Sequence, residues 1–397
     1  GSKAHHSGVG EEEMVSKPNY LIIGSTGRNT GKTEFACRLI EKYSKTYPVV
    51  GVKVVSIDPD EGNCPRGGKG CGVCTSLKGN FEIFEEKEID PTKDTSRMLL
   101  AGAEKVYFLK VDKHRLKEGL EALMSILPTE AMVLLESNSI RKVIEPGLFL
   151  VIKNLKDKRV KDSCAEVIEY ADKIIEFDNM SWNFSPSDVH IKNNTWITCE
   201  NATAIVLAGG KSSRMGEDKS MLSINGIPLI QHIINQLEGH FSEVIIGAND
   251  VDRYAFLGKR VIPDIEQGKG PLMGIYSCLR ASNTDLNFIT ACDIPEMNIR
   301  MIKRMLNLSV AYDIVMPCKG DAKHEPLFAV YQKSIIPMAE KILHTNKRRI
   351  VELMDLARVK LVEFDGNGWY QNLNLMEEYI FYVNKEKERK CYRELLE

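Results

Sequence analysis

The sequence predicts two α/β domains, each a doubly wound, three-layer sheet. Both halves of the 397-residue chain alternate apolar runs of strand length with segments of helix length. This alternation is typical of largely parallel sheets covered by helices on both faces. Each half also has a glycine-rich loop after an early apolar run, at 24–33 and 207–219. Loops of this kind, placed after a buried strand, favour phosphate binding.

The domain boundaries follow from length and composition. At roughly 150 residues per domain the chain has room for two or three, and we expect domains at 18–178 and 202–397. The interval 179–201 is rich in Asn, Ser and Pro and is predicted to be a linker, while Trp182, Phe184 and Trp196 indicate that it packs on the surface of a domain. Residues 1–17, which lack an initiator Met, are predicted to be a disordered leader or cloning remnant. The charged segment 377–397 has apolar residues at helical spacing and is predicted to be a closing helix.

Composition narrows the class of protein. Hydrophobic residues make up 43% of the chain without any long apolar run, so no membrane association is expected. The net charge of -2 argues against broad electrostatic binding to nucleic acid or anionic lipid. Ten cysteines scattered through apolar segments indicate reduced thiols and a cytoplasmic location.

The glycine-rich loop of the second half carries the strongest functional signal. An apolar run ends at Leu207-Ala208, and Gly209-Gly210 would let the backbone turn tightly beneath a ligand. Arg214 and Lys219 follow. The planar guanidinium of an arginine can bind two phosphate oxygens at once, and the ammonium of a lysine acts as a point charge. Together with free backbone N–H groups, these cations predict a polyphosphate site.

The sequence of residues 207–219 resembles the nucleotide-binding signature of the MobA-type molybdenum cofactor guanylyltransferases, which belong to the wider nucleotidyltransferase fold. Further segments in the family's order lie at 226–230, 244–249, 261–264, 270–274, 288–295 and 370–374. His324-Glu325-Pro326 departs from the family, which usually runs His directly into Pro. Several ordered motifs make a far more specific signal than any one of them.

The resemblance implies roles for particular residues. The implied nucleotide contacts are Leu207, Ala208, Gly209, Gly210, Lys219, Asn249, Asp264 and Asp293. The implied catalytic residues are Lys219, Arg214 and Asp293, with Asp293 also the Mg²⁺ ligand, and Asn372 and Asn374 border the pterin site. These residue types suit the chemistry, since nucleotidyl transfer needs the charge of the leaving pyrophosphate to be neutralised. Mg²⁺ prefers one or two carboxylates together with phosphate oxygens.

The implied reaction transfers GMP from GTP to molybdopterin and releases pyrophosphate. A cytidylyltransferase is an alternative, but that branch usually shows Ala-Ala-Gly at the first loop and lacks a turn like Gly270–Gly274. The sequence Leu207–Gly210 therefore favours GTP over CTP as the nucleotide donor. A non-catalytic, NTP-dependent cofactor carrier is a second alternative, although a carrier would not need Asp293 and Lys219.

The first half contains a P-loop pattern. Ser25–Thr33 follows the apolar run Tyr20–Gly24 and precedes an amphipathic run, with Thr26 where the common pattern has its first Gly. Lys32 is expected to meet the β- and γ-phosphates, and the Thr33 hydroxyl to bind Mg²⁺. The full set of expected contacts is Gly27, Asn29, Thr30, Gly31, Lys32 and Thr33.

This half resembles the MobB-type GTP-binding adaptor that accompanies the guanylyltransferase. The resemblance rests on Val50–Lys53, on Lys93–Ala103 and on a strand ending at Glu136, an acid expected near Mg²⁺. It departs from the family at 54–58, where a His-rich stretch is expected, and at Ser137-Asn138, where a Gly often follows the acid. The resemblance implies GTP binding, with molybdoenzyme apoproteins or other cofactor-assembly proteins as partners.

A cysteine-rich insertion interrupts the first half at 60–80. Cys71 and Cys74 have the spacing of a metal knuckle, and Cys64 could supply a third thiolate. Zn²⁺ or an iron–sulfur cluster would suit such a set. A loop without metal is the alternative, because no fourth cysteine is adjacent.

Overall fold

The computed structural model describes residues 14–58, 77–208, 218–319, 323–345, 349–363 and 372–394. Most of the predicted leader and of the cysteine-rich insertion, including Cys64, Cys71 and Cys74, lies outside the described residues. The chain forms two compact units, Gly1–Thr198 and Cys199–Glu397, so the division falls within the predicted linker. In the described ranges, no helix is long and apolar enough to cross a membrane.

The first unit is built on one largely parallel sheet. Its strands are β1 (Val15–Ser25), β2 (Val49–Ile57), β3 (Phe81–Glu85), β4 (Lys105–Asp112), β5 (Met132–Glu136), β6 (Ile144–Asn154) and β7 (Lys173–Phe177). They lie in the order β3-β4-β2-β5-β1-β6-β7. Only the pairing of β3 with β4 is antiparallel among these neighbours.

Helices cover both faces of this sheet. They are α1 (Lys32–Tyr43), α2 (Asp94–Leu100), α3 (Leu116–Ile126) and α4 (Asp162–Ala165). Along β1, Leu21 and Ile23 pack in the apolar cluster that contains α1 and α2 residues, whereas Tyr20 and Ile22 pack in the cluster that contains α3. Since successive side chains of a strand point to opposite faces, this division confirms the predicted three-layer arrangement.

Two predicted segment boundaries differ from the structure. β1 begins at Val15, inside the predicted leader, because Val15–Lys17 pair in parallel with Ile144–Pro146. Much of the predicted linker is also folded: β8 (Val189–Lys192) and β9 (Thr195–Thr198) form an antiparallel hairpin. Trp196 on β9 is fully buried, and its indole N–H donates to the carbonyl of Asn19 at 3.0 Å.

The second unit has a mixed sheet. Its strands are β10 (Glu200–Leu207), β11 (Ser223–Ile224), β12 (Ile227–Pro228), β13 (Phe241–Gly247), β14 (Val261–Ile262), β15 (Leu286–Ala291), β16 (Ile314–Lys319), β17 (Lys323–His324), β18 (Phe328–Gln332) and β19 (Val359–Glu363). The main order is β14-β13-β10-β15-β18-β16-β17, with β19 beside β16 and a separate β11-β12 pair. β10 runs parallel to β13 and β15, whereas β18 runs antiparallel to β15.

The helices of this unit again lie on two faces. They are α5 (Leu229–Leu237), α6 (Pro271–Ala281), α7 (Ile299–Leu308), α8 (Ile336–Leu343), α9 (Ile350–Met354) and α10 (Met376–Glu394). Residues of α5 and α7 share one apolar cluster, and residues of α6, α8 and α9 share another. The predicted closing helix is confirmed as α10. The carboxyl ends of β10, β13 and β15 meet at one edge of the sheet, where antiparallel β18 begins.

We predict that Trp196→Ala lowers the free energy of unfolding of the first unit by about 3–5 kcal/mol, the usual cost of emptying a buried indole site. Equilibrium denaturation followed by circular dichroism measures the change. Trp196→Phe, which keeps an apolar ring but loses the hydrogen bond to Asn19, should cost less. A loss below about 0.5 kcal/mol for Trp196→Ala, as at a surface position, would mean that the hairpin does not contribute to the core.

Candidate functional sites

Predicted nucleotide contacts of the second unit come together at the carboxyl edge of its sheet. Leu207, the last residue of β10, pairs with Gly247 on β13 and with Ala291 on β15. The pairing continues past the strands, because the N–H of Ala208 donates to Gly247 at 2.9 Å and the N–H of Cys292 donates to Leu207 at 3.2 Å. Ligands of open α/β sheets commonly bind at such an edge.

Asn249 and Asp264 lie side by side at this edge. The amide nitrogen of Asn249 donates to the Asp264 carboxylate at 3.0 Å, and its oxygen accepts from the Asp264 N–H at 2.8 Å. A Cβ atom at Gly274 would come within 3.4 Å of the same carboxylate. Gly270, with φ of 81°, lies at the start of α6. The Gly270–Gly274 segment predicted as a turn is therefore the helix start beside Asp264.

A lysine, two asparagines and a carboxylate form the centre of the site. The Lys219 ammonium donates to the side-chain oxygen of Asn374 at 3.1 Å. The N–H of Leu373, between Asn372 and Asn374, donates to the Asp293 carbonyl at 2.7 Å. Burial raises the pKa of Asp293, and the nearby Lys219 charge opposes the rise. The structure thus brings together Lys219 from the signature, Asp293 from the segment after β15 and the paired asparagines.

Glu325 is a further carboxylate that sequence reasoning noted only as a departure from the family pattern. It follows β17 directly and lies three residues before β18. The chain leading into β18 lies beside the end of β15, since the N–H of Ala291 donates to the carbonyl of Leu327 at 3.0 Å. Burial raises the pKa of Glu325, the charge of Asp293 raises it further, and a hydrogen bond from Asn372 opposes the shift. The order of the strands, which places this residue beside Asp293, is not evident in the sequence.

The Asp293 and Glu325 carboxylates fit a hard divalent cation such as Mg²⁺. Mg²⁺ binds oxygen ligands and retains several waters, so one or two carboxylates suffice. Among the described residues, no group of three or more candidate ligands occurs. Gly209, Gly210 and Arg214 lie outside the described residues.

Tyr254 is another residue that sequence reasoning missed. Its buried hydroxyl donates to the carbonyl of Ala208 at 3.3 Å and lies 2.9 Å from the Ser220 hydroxyl. Asp218, next to Lys219, accepts from the Ser220 N–H at 2.9 Å and pairs with Arg253 at 2.8 Å. These bonds hold both ends of the signature loop. Tyr254 lies in no recognisable motif, so the sequence gives no signal for it.

The P-loop of the first unit borders a cavity of about 560 Å³. Gly31, with φ of 70°, precedes α1, and Asn29 also has a positive φ, 51°. All the predicted contacts line the cavity, namely Gly27, Asn29, Thr30, Gly31, Lys32 and Thr33. The helix N-terminus therefore faces a space that can hold a phosphate chain.

Two carboxylates line the same cavity. Glu136 at the end of β5 is fully buried, and neither of its oxygens has a hydrogen-bond partner among the described residues. Asp94 pairs with Lys53 and accepts a hydrogen bond from Thr33. Burial tends to raise the pKa of Asp94, but Lys53 and Thr33 hold it below its usual value. An orphaned carboxylate that lines the same cavity as Thr33 fits Mg²⁺ and its waters.

Asn138, where a Gly often follows the acid, has a structural role. Its side-chain oxygen accepts from the N–H of Ser25 at 2.8 Å. Its amide nitrogen donates to the carbonyl of Ser25 at 3.0 Å and to the hydroxyl of Ser163 at 3.2 Å. The side chain thus joins the start of the P-loop to the segment after β6.

Comparison with known proteins matches residues 204–359 to the family model of the MobA-like NTP transferase domain. A relative from Carboxydothermus hydrogenoformans, named as a probable molybdenum cofactor guanylyltransferase, is 38% identical over 186 residues, which cover 47% of this chain and 91% of the relative. The chain belongs to the molybdenum cofactor guanylyltransferase family.

Another family member, from Pelotomaculum thermopropionicum and bearing the same name, is 35% identical over 161 residues, 41% of this chain and 78% of the relative. Molybdopterin-guanine dinucleotide biosynthesis protein A from Archaeoglobus fulgidus superposes with a TM-score of 0.41 at 20% identity, covering 48% of this chain and 99% of that one. The family match contains Leu207, Lys219 and Asp293, whereas Asn372 and Asn374 follow its end.

Proposed function

We propose that the second unit transfers GMP from GTP to molybdopterin and so forms the guanine dinucleotide cofactor. The observation that carries the proposal is the convergence of Lys219, Asn374 and Asp293 at the carboxyl edge of the sheet. Membership of the guanylyltransferase family supports the choice of reaction, since relatives carry that name.

The chemistry is an in-line displacement at the α-phosphorus of GTP. A phosphate oxygen of molybdopterin attacks, the bond to the β-phosphate oxygen breaks, and pyrophosphate leaves. Lys219 neutralises charge on the phosphates, Asn249 and Asp264 contact the nucleotide, and Asn372 and Asn374 border the pterin. Arg214 stays a predicted phosphate ligand. Asp293, with Glu325 close by, would hold Mg²⁺, and the ion would neutralise charge at the reacting phosphate.

The test of this function is an assay of purified protein with molybdopterin and either GTP or CTP. We expect pyrophosphate release and a guanylyl product by mass spectrometry, with GTP preferred, because the first loop and the Gly270–Gly274 segment follow the guanylyl pattern. A mainly cytidylyl product would assign the chain to the sister branch. Binding of both substrates without any product would favour the carrier alternative.

We predict that Asp293→Asn lowers the transfer rate by about 100-fold or more, because the reacting phosphate loses the carboxylate that holds its metal ion. Steady-state pyrophosphate release at saturating Mg²⁺ measures the effect. Asp285→Asn is the matched control, since Asp285 is exposed and precedes the opposite end of β15. Near-normal turnover of Asp293→Asn with an intact fold would remove Asp293 from the mechanism.

The cavity of the first unit supports a second activity, binding of Mg²⁺ with GTP. The P-loop residues, the start of α1 and the orphaned carboxylate of Glu136 all border it. The complete set of proposed transfer residues lies in the second unit. We therefore assign the nucleotide of the first unit a role in delivering cofactor to apoproteins or assembly proteins.

The six described cysteines are free thiols, in keeping with a cytoplasmic location.

We predict that Lys32→Ala removes one of two GTP sites from the full chain and leaves the transfer rate within about twofold. The Lys32 ammonium is the P-loop group expected to bind the β- and γ-phosphates, so its removal should abolish GTP binding in the first unit. The transfer rate should not change, because no residue of the first unit is proposed to take part in transfer. Isothermal calorimetry counts the sites, and pyrophosphate release measures transfer. Loss of transfer in a folded Lys32→Ala protein would show that the first unit takes part in the chemistry.

A further inference from the structure

The segment between β6 and α4 brings a lysine to the P-loop that no motif indicates. Lys161 immediately precedes α4 and lines the same cavity as Lys32 and Arg28. β6 lies on the side of β1 opposite β5, which ends at Glu136. The cavity therefore has a carboxylate on one side of the P-loop strand and an additional ammonium group on the other.

Two contacts fix this segment against the P-loop. The N–H of Lys161 donates to the carbonyl of Thr26 at 3.0 Å. Two residues further on, the hydroxyl of Ser163 accepts from Asn138, which also binds both backbone groups of Ser25. The position of Lys161 is thus set by the loop that would surround a phosphate chain, and the two would move together.

Lys161 has no carboxylate partner in the parts of the chain that the structure describes, and solvent reaches its side chain. Burial lowers the pKa of Lys161, and the charges of Lys32 and Arg28 lower it further. Like charges that converge on one cavity repel one another, so a bound polyanion would relieve the repulsion.

We propose that Lys161 is a phosphate-binding residue, which contacts the polyphosphate of a nucleoside triphosphate from the β6 side while Lys32 contacts it from α1. The inference rests on the nucleotide site proposed above for the first unit. A lysine suits this position because an ammonium is a compact charge on a flexible stem that can follow the phosphate oxygens. Lys161 is assigned to binding, not to the chemistry of the second unit.

The experiment measures affinity of the full chain for a non-hydrolysable GTP analogue that carries a methylanthraniloyl group. Energy transfer from tryptophan reports binding, since Trp182 lies beside the P-loop: its indole nitrogen is 3.1 Å from where a Cβ of Gly31 would be. The second unit is also proposed to bind GTP, so the difference between the energy-transfer signals of the wild type and of Lys32→Ala is assigned to the first unit. The test variants are Lys161→Met and Lys161→Arg, and the control is Lys158→Met, which removes an exposed lysine of the same segment.

Lys161→Met should weaken binding about 10- to 100-fold, the range for loss of a charge-assisted phosphate contact, and should reduce its salt dependence. Lys161→Arg should recover most of the affinity, and Lys158→Met should stay within about twofold of wild type. The thermal midpoint of Lys161→Met without nucleotide should not fall, because Lys161 has no carboxylate partner among the described residues and the variant removes its repulsion with Lys32 and Arg28. This midpoint separates a binding role from a structural one.

Two results would overturn the assignment separately from the site itself. Wild-type affinity in Lys161→Met, or a lowered midpoint without nucleotide accompanied by unchanged affinity, would remove Lys161 from the site while leaving the site in place. A wild-type signal equal to that of Lys32→Ala would instead mean that the first unit binds no nucleotide, and both proposals would fail.

Discussion

Parallel pairing of a central strand on both of its sides determines where the candidate sites lie. β1 pairs in parallel with β5 and β6, and β10 pairs in parallel with β13 and β15. Parallel strands end at the same edge, so the loops that leave them converge although they are far apart in sequence. The P-loop and Glu136 line one cavity for this reason, and Lys219, which follows the signature loop's glycines, lies near Asp293.

Both candidate sites place buried carboxylates and lysines around one region of the sheet edge. In the first unit Glu136 has no hydrogen-bond partner among the described residues, and Lys161 and Lys32 repel each other across the cavity. In the second unit burial raises the pKa of Asp293 and of Glu325. A metal-bound polyphosphate carries both signs of charge and would satisfy each site. These shared electrostatics support the proposal that two different sheets bind the same class of ligand.

The predicted linker shows where composition is a poor guide to packing. Asn, Ser and Pro dominate 179–201 and favour turns, yet the segment also contains Trp182, Phe184 and Trp196. Phe184 and Trp196 belong to the core cluster of the first unit, and Trp182 packs against that cluster. Burial of large aromatic rings provides enough hydrophobic free energy to fold a polar segment onto a domain, and the sequence does not reveal which surface will receive the rings.

The sequence by itself determined the fold class and the resemblance of the second half to the guanylyltransferases, and it predicted the P-loop contacts and a role for Asp293. Hydrophobic periodicity and short phosphate-binding motifs are local properties of the chain, so both can be recognised without the structure. Only the tertiary structure decided that Glu325 approaches Asp293, that Tyr254 contacts Ala208 and Ser220 and that Lys161 faces the P-loop. Each of these depends on which strands are neighbours and in which direction they run. Such contacts arise from the packing of distant segments against one another, and no short stretch of sequence encodes them.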